Sequence, residues 1–183
     1  MEVISTMVIV LLLGANLLIM INASSDIWHS AITRSENHQA MRHVYRIIER
    51  EMKSSNILYV TDNTESLPQA FAFLSALNHD QRFVTDINGR PLWQRYTIYY
   101  IPRGTDNLMR REVYGSFTEA LSPQQLAEYC DGQGKVVSKG VSSISMEMEL
   151  PENRVVISIT SNRESPGGKT DSQRMDFTVT LLN

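Results

Sequence analysis

The feature that most constrains this chain is its unbroken start. From Met1 to Asn56 there is no proline and one glycine, Gly14. Those are the residues that break or end helices. The stretch begins apolar and ends charged. No charge falls between Val3 and Ala23. About 20 residues at ~1.5 Å each span roughly 30 Å, the thickness of a bilayer's hydrocarbon core. Ser5, Thr6, Asn16 and Asn22 are tolerable there, because helical Ser and Thr bond back to the preceding turn and Asn can bond across to another helix. The segment is therefore predicted to cross a membrane. A secretory signal would open with a basic region, whereas the only charge ahead of this run is Glu2. A cut after Ala23 stays open as an alternative, and so does a buried core helix.

From Ile27 to Lys53 the pattern keeps a period of about 3.6 residues. Ile27, Ala31, His38, Met41, Tyr45, Ile48 and Met52 fall on one stripe, interrupted by Arg34. Arg42, His43, Arg46, Arg50 and Lys53 fall on another side. Glu49 precedes Lys53 by four, a favourable helical pair. Ser24, Ser25 and Asp26 could restart a helix as a cap, but nothing forces a break. The expectation is one helix of about 50 residues, roughly 75 Å long, with its first half in lipid and its second half on a domain. The chain then divides into a helical segment, 1–56, and a globular one, 57–183.

The acidic start followed by a long two-part helix, "MEVISTMVIVLLL" above all, resembles the type IV pilin and pseudopilin family. In that family a basic leader is clipped before a hydrophobic residue, a glutamate follows within a few residues, and the long helix comes next. Glu2 matches the family glutamate. The family's leader, cleavage glycine and first mature residues have no counterpart here, so Met1 is expected to be an internal residue of the motif. The resemblance is strong over about 55 residues and looser beyond. There the stretch "PLWQRYTIYYIPRGTDNLMRRE" is similar to a hairpin of the J- or W-type minor pilins. It implies a non-enzymatic filament subunit of a type IV pilus or type II secretion system. It also implies a single pass through the inner membrane with the globular part outside the cytoplasm. The implied partners are other pilins, the membrane and a prepilin peptidase that cleaves and N-methylates. Glu2 would then pair with a neighbour's N-terminal amine. On residue physics alone it reads rather as a polar flank at the membrane surface, since a lone carboxylate in lipid is costly, and it is the resemblance that favours the pairing role.

The remainder reads as an antiparallel sheet, giving an α+β fold. Ile57 to Pro68 looks irregular and Phe71 to Leu77 a short strand. Asn88-Gly89 is the strongest hairpin signal. Trp93 to Ile101 is aromatic and β-branched on both faces, which suits a central strand. Tyr96, Ile98 and Tyr100 share one face, and Met41, Tyr45, Ile48 and Met52 are expected to pack on it. Leu108 to Tyr114 follows as the adjacent strand. Ser122 and Pro123 are the cap and first residue of a short helix. Ile144, Met146, Met148 and Leu150 alternate inward, as do Met175, Phe177, Val179 and Leu181. Between Val155–Ser161 and that last strand, residues 162–174 read as a loop.

Chemistry is sparse. The net charge of −3 with no basic block argues against nucleic acid. His29, His38 and His43 have no spacing that closes a metal site. Asp62 and Glu65 are too few for calcium, and Asp171 with Asp176 is a weak candidate. "SPGGK" lacks the strand and helix of a phosphate cradle. Cys130 has no partner signature for a nucleophile. No cofactor is expected. Trp93, Tyr96, Tyr99 and Tyr100 read as sheet core. Were they a stacking surface instead, the chain would be an anchored ligand-binding domain that does not polymerise.

Overall fold

A computed structural model describes residues 2–56, 60–63, 68–80, 82–131, 133–165 and 169–181. Helix α1 runs unbroken over Glu2–Met52, 51 residues. It ends in a turn at Ser54 and Ser55, where Ser55 N–H donates to the Met52 carbonyl at 2.8 Å.

Only the later turns of α1 are buried by the domain. Asn37, Met41, Val44, Ile48, Glu51 and Met52 are buried, at steps of three and four until the last pair. The expected stripe is therefore shifted and shortened. Ile27, Ala31 and His38 are exposed, Tyr45 is half-buried, and Val44 takes the central place. The cause is geometric: the domain buries α1 only from Asn37 onward and meets it before that through the exposed pairs Arg34–Asp171 and Glu36–Arg163, so Ile27 and Ala31 stay uncovered.

Two antiparallel sheets carry the rest. The first orders β1 (Val60–Asn63), β2 (Gln69–Ser75), β3 (Arg95–Ile101), β4 (Asn107–Tyr114) and β5 (Lys135–Lys139) side by side. The second orders β6 (Val141–Glu149), β7 (Arg154–Ser165) and β8 (Lys169–Thr180). Strand β3 is central, and all seven of its residues are buried. Between β2 and β3 the chain turns at Asn88 and Gly89. Asp86 accepts from the backbone of Asn88 and of Arg90, both at 2.8 Å, and Gly89 takes φ +77°. The Gln69 side chain stitches the sheets together by accepting from Ile144 N–H at 3.0 Å.

The two faces of the first sheet serve different cores. On one, Phe71, Phe73, Tyr99 and Ile101 join Val44, Ile48 and Met52 of α1 and the inner residues of β6, β7 and β8. On the other, Tyr96, Ile98 and Tyr100 join Ala70, Leu74, Leu121 and Leu126. The expected packing of α1 on Tyr96, Ile98 and Tyr100 is thus corrected: α1 lies on the Tyr99 face. Their own face is covered by residues 117–130 with α2 (Pro123–Glu128). Helix α2 forms as expected, Ser122 accepting from Gln125 N–H while the Gln125 side chain caps Ser122 N–H.

Three further readings change. Residues 57–68 contain β1, paired with β2 from Val60↔Phe73 to Asn63↔Ala70. Met148 and Leu150 are exposed, because β6 runs out past the core into a single 3₁₀ turn at Leu150–Glu152. The loop expected over 162–174 is mostly hairpin, with β7 and β8 paired from Arg154↔Thr180 to Ser165↔Lys169. Its polar composition reflects an arm that stands partly in solvent beside α1. There Arg34 meets Asp171 at 2.9 Å, and Ser161 meets the buried Asn37 at 2.7 Å. Phe177, Val179 and Leu181 do point into the core.

Candidate functional site

Two features stand apart from ordinary packing. The first is the bare half of α1. Met7, Leu12, Leu17 and Met20 are 59–72% exposed, as are their apolar neighbours to a similar degree. This helix is long and apolar enough to cross a membrane, and none of its apolar window is buried in the fold. Of the two asparagines in this bare half, Asn16 bonds back to the helix, donating to the Leu12 carbonyl at 2.9 Å. That bond satisfies one of the amide's two N–H donors and so lowers the cost of placing it in lipid. Glu2 lies in the first turn of the same helix. Its side chain is outside the described ones, as are Met1 and Glu65 entirely.

The second is a buried line of charge where α1 ends. The period-two alternation of β3 and β4 aims Arg95, Thr97 and Tyr99 at the α1 face, opposite Tyr114, Glu112 and Arg110. Glu51 descends on this row. Its carboxylate accepts from Tyr99 Oη at 2.7 Å, Arg110 Nε at 3.0 Å and Arg110 Nη2 at 2.8 Å. Arg110 also reaches Glu112, and Arg95 reaches Glu112 at 2.6 Å. The Tyr114 hydroxyl donates to Glu112 at 2.8 Å. Two guanidinium groups thus face two carboxylates. Burial and the Glu51 charge raise the Tyr99 pKa well above its ordinary value. Burial opposes the Arg110 charge, but the hydrogen bonds and charge of Glu51 outweigh it and hold Arg110 protonated. Burial also opposes ionisation of Glu112, yet Tyr114, Arg110 and Arg95 together hold its carboxyl below the usual value. This is a clamp joining α1 to the sheet.

Next to the clamp, a groove of about 400 Å³ lies between α1 and β5. Arg110 and Glu51 line it with His43, Arg50, Lys135 and Val136.

The other candidates resolve into structure. Tyr96, Tyr99 and Tyr100 are 6%, 0% and 0% exposed and split between the two cores, so they offer no stacking surface. Trp93 packs at the margin of the second core. Cys130 is buried, its thiol donating to the Leu126 carbonyl at 3.1 Å; burial raises its pKa to about 12. His29, His38 and His43 are exposed and apart. Asp62 lies in β1, Asp171 is taken by Arg34 and Asp176 by Arg174. No group of three metal-ligating side chains forms among the described residues.

The clamp was missed in the sequence. Its signal is the pair of alternations "RYTIY" and "RREVY", in which charged and hydroxyl-bearing residues fall on one face of adjacent strands. No known family, curated protein or solved structure matches the chain.

Proposed function

We propose that this chain is a structural subunit of a membrane-anchored filament, a minor pilin or pseudopilin of a type IV pilus or type II secretion system. One observation carries the reading. A single 51-residue helix is bare and apolar at one end and built into a sheet domain at the other. A helix that only anchored a domain could end at the membrane surface. Continuity without a linker fixes the domain rigidly to the membrane half, as a subunit needs if helix packing is to set the position of its head. In this reading the apolar half sits in the inner membrane before assembly and against other subunits afterwards, and the domain lies outside the cytoplasm. The rival reading, an anchored ligand-binding domain, loses the aromatic surface it relied on.

The chain is expected to stay with membranes after alkaline carbonate washing. Glu2→Ala is expected to remain anchored and folded but to co-purify less well with the major filament subunit. Loss of a charge pair in lipid would cost on the order of 1–3 kcal/mol, about 5- to 150-fold in incorporation. Release of the wild-type chain by carbonate would refute the anchor. Undiminished incorporation of Glu2→Ala would refute the role given to that carboxylate.

A further inference from the structure

Oppositely charged surfaces lie on opposite sides of the domain. Arg42, Arg46 and Arg50 fall four residues apart along the outer face of α1, a row stepping about 6 Å each time. All three are exposed, and among the described residues none meets a carboxylate. Lys53 is taken by Glu49 at 2.8 Å. Lys135 stands across the groove from Arg50 and is also exposed. Arg110, at the same groove, is already held by Glu51 and Glu112. Arg50 and Lys135 are therefore the cations open to an incoming anion.

On the far side of the first sheet, residues 115–134 contain no lysine or arginine. They contain three carboxylates, Glu119, Glu128 and Asp131, all exposed. Asp131 pairs with Arg111 at 2.7 Å, leaving Glu119 and Glu128 facing solvent. This segment supplies Leu121 and Leu126 to the second core, so it lies on the sheet face turned away from α1.

We infer that the α2 face of one copy docks on the arginine row of the next, with Glu128 entering beside Arg50 and Lys135. The inference rests on the filament reading above. Two different faces meet, so the contact is heterologous and propagates from copy to copy unless its rotation closes a ring. Pairing the arginine rows with each other would set like charges together, which disfavours the symmetric alternative.

The test uses the full-length chain in membranes of assembling cells, on a Cys130→Ala background. Two differently tagged copies carry Arg46→Cys and Glu128→Cys. A third pairing carries Leu13→Cys in both copies, which reports contact between membrane halves independently of the heads. Oxidation is expected to join Arg46→Cys to Glu128→Cys at least about fivefold more than Arg46→Cys to itself, with the yield falling as salt is raised. In the pair joined instead through Arg46→Cys and Glu119→Cys, which keeps Glu128, Arg50→Glu in one copy should lower the yield and Glu128→Lys in the other should recover it. Cross-linking through Leu13→Cys without any between Arg46→Cys and Glu128→Cys overturns this docking and leaves the filament reading standing. Absence of both overturns the two together. A dominant Arg46→Cys homodimer, or a yield indifferent to Arg50→Glu, also overturns the docking.

Discussion

Ile48→Asp is expected to unfold the domain. Ile48 is fully buried between Val44 and Met52, in the core shared by α1 and both sheets. An aspartate there has no cation on its own face of the helix. It either ionises in an apolar site or takes up a proton and stays an unpaired polar group, and both are costly. The penalty should exceed about 4 kcal/mol, a large share of the 5–15 kcal/mol that holds a typical domain folded. Tyr45→Asp should do less harm. Its ring is only half-buried, against Phe177 at a centroid distance of 4.7 Å, although the new carboxylate would also sit one turn from Glu49. Arg46→Asp, exposed on the outer face, should change stability by about 0.5 kcal/mol or less. The readout is the melting temperature of the full-length chain in detergent, followed by a signal from the sheet. Equal shifts for Ile48→Asp and Arg46→Asp would mean that the buried face of α1 lies elsewhere.

Glu51→Ala should come next in cost, about 3–5 kcal/mol, the usual penalty for removing one partner of a buried ion pair. The loss is large because Arg110 and Tyr99 both donate to that carboxylate from inside the fold. Replacing Glu51 and Arg110 together by leucine removes the orphaned guanidinium and leaves only the Tyr99 hydroxyl without its acceptor, so the double variant is compared with the single changes Glu51→Leu and Arg110→Leu. The double variant should therefore recover much of the loss, a non-additivity that a double-mutant cycle in denaturant reads directly. Additive losses would show that Glu51 and Arg110 act independently. Glu112 adds a pH dependence of known sign. Its folded pKa lies below the unfolded value, so its contribution is present above the unfolded pKa and fades as pH falls through the folded one. Replacing Glu112 by glutamine should flatten the acid limb of the stability curve.

How far these features can be read without coordinates varies with the physics. The length of α1 is legible because helix breakers are rare and conspicuous. The central place of β3 is legible too, since only a strand covered on both faces can carry aromatics on both. That same property hides which face meets α1: alternation separates Tyr96, Ile98 and Tyr100 from Tyr99 and Ile101 but is symmetric between them. What decides is α2 and its excursion covering the former set, a contact between residues far apart in sequence. The clamp is hidden for a related reason. Arg95, Arg110 and Glu112 look like ordinary surface charges until the β3–β4 register and the end of α1 bring them together. The polar arm formed by β7 and β8 misleads by composition. Strands beside a solvated helix need no apolar face, so they resemble a loop.

The most direct test of a helix that both anchors and assembles is a cysteine scan along its bare half. Single cysteines from Ile9 to Ile21, on a Cys130→Ala background, would be oxidised in membranes of assembling cells and resolved without reductant. If neighbouring subunits bury one another's apolar halves, cross-linking should recur every three to four positions, and pairs of such sites should give ladders beyond the dimer. A chain that stays monomeric at every position, while remaining membrane-bound and folded, would show that α1 anchors the domain without assembling it.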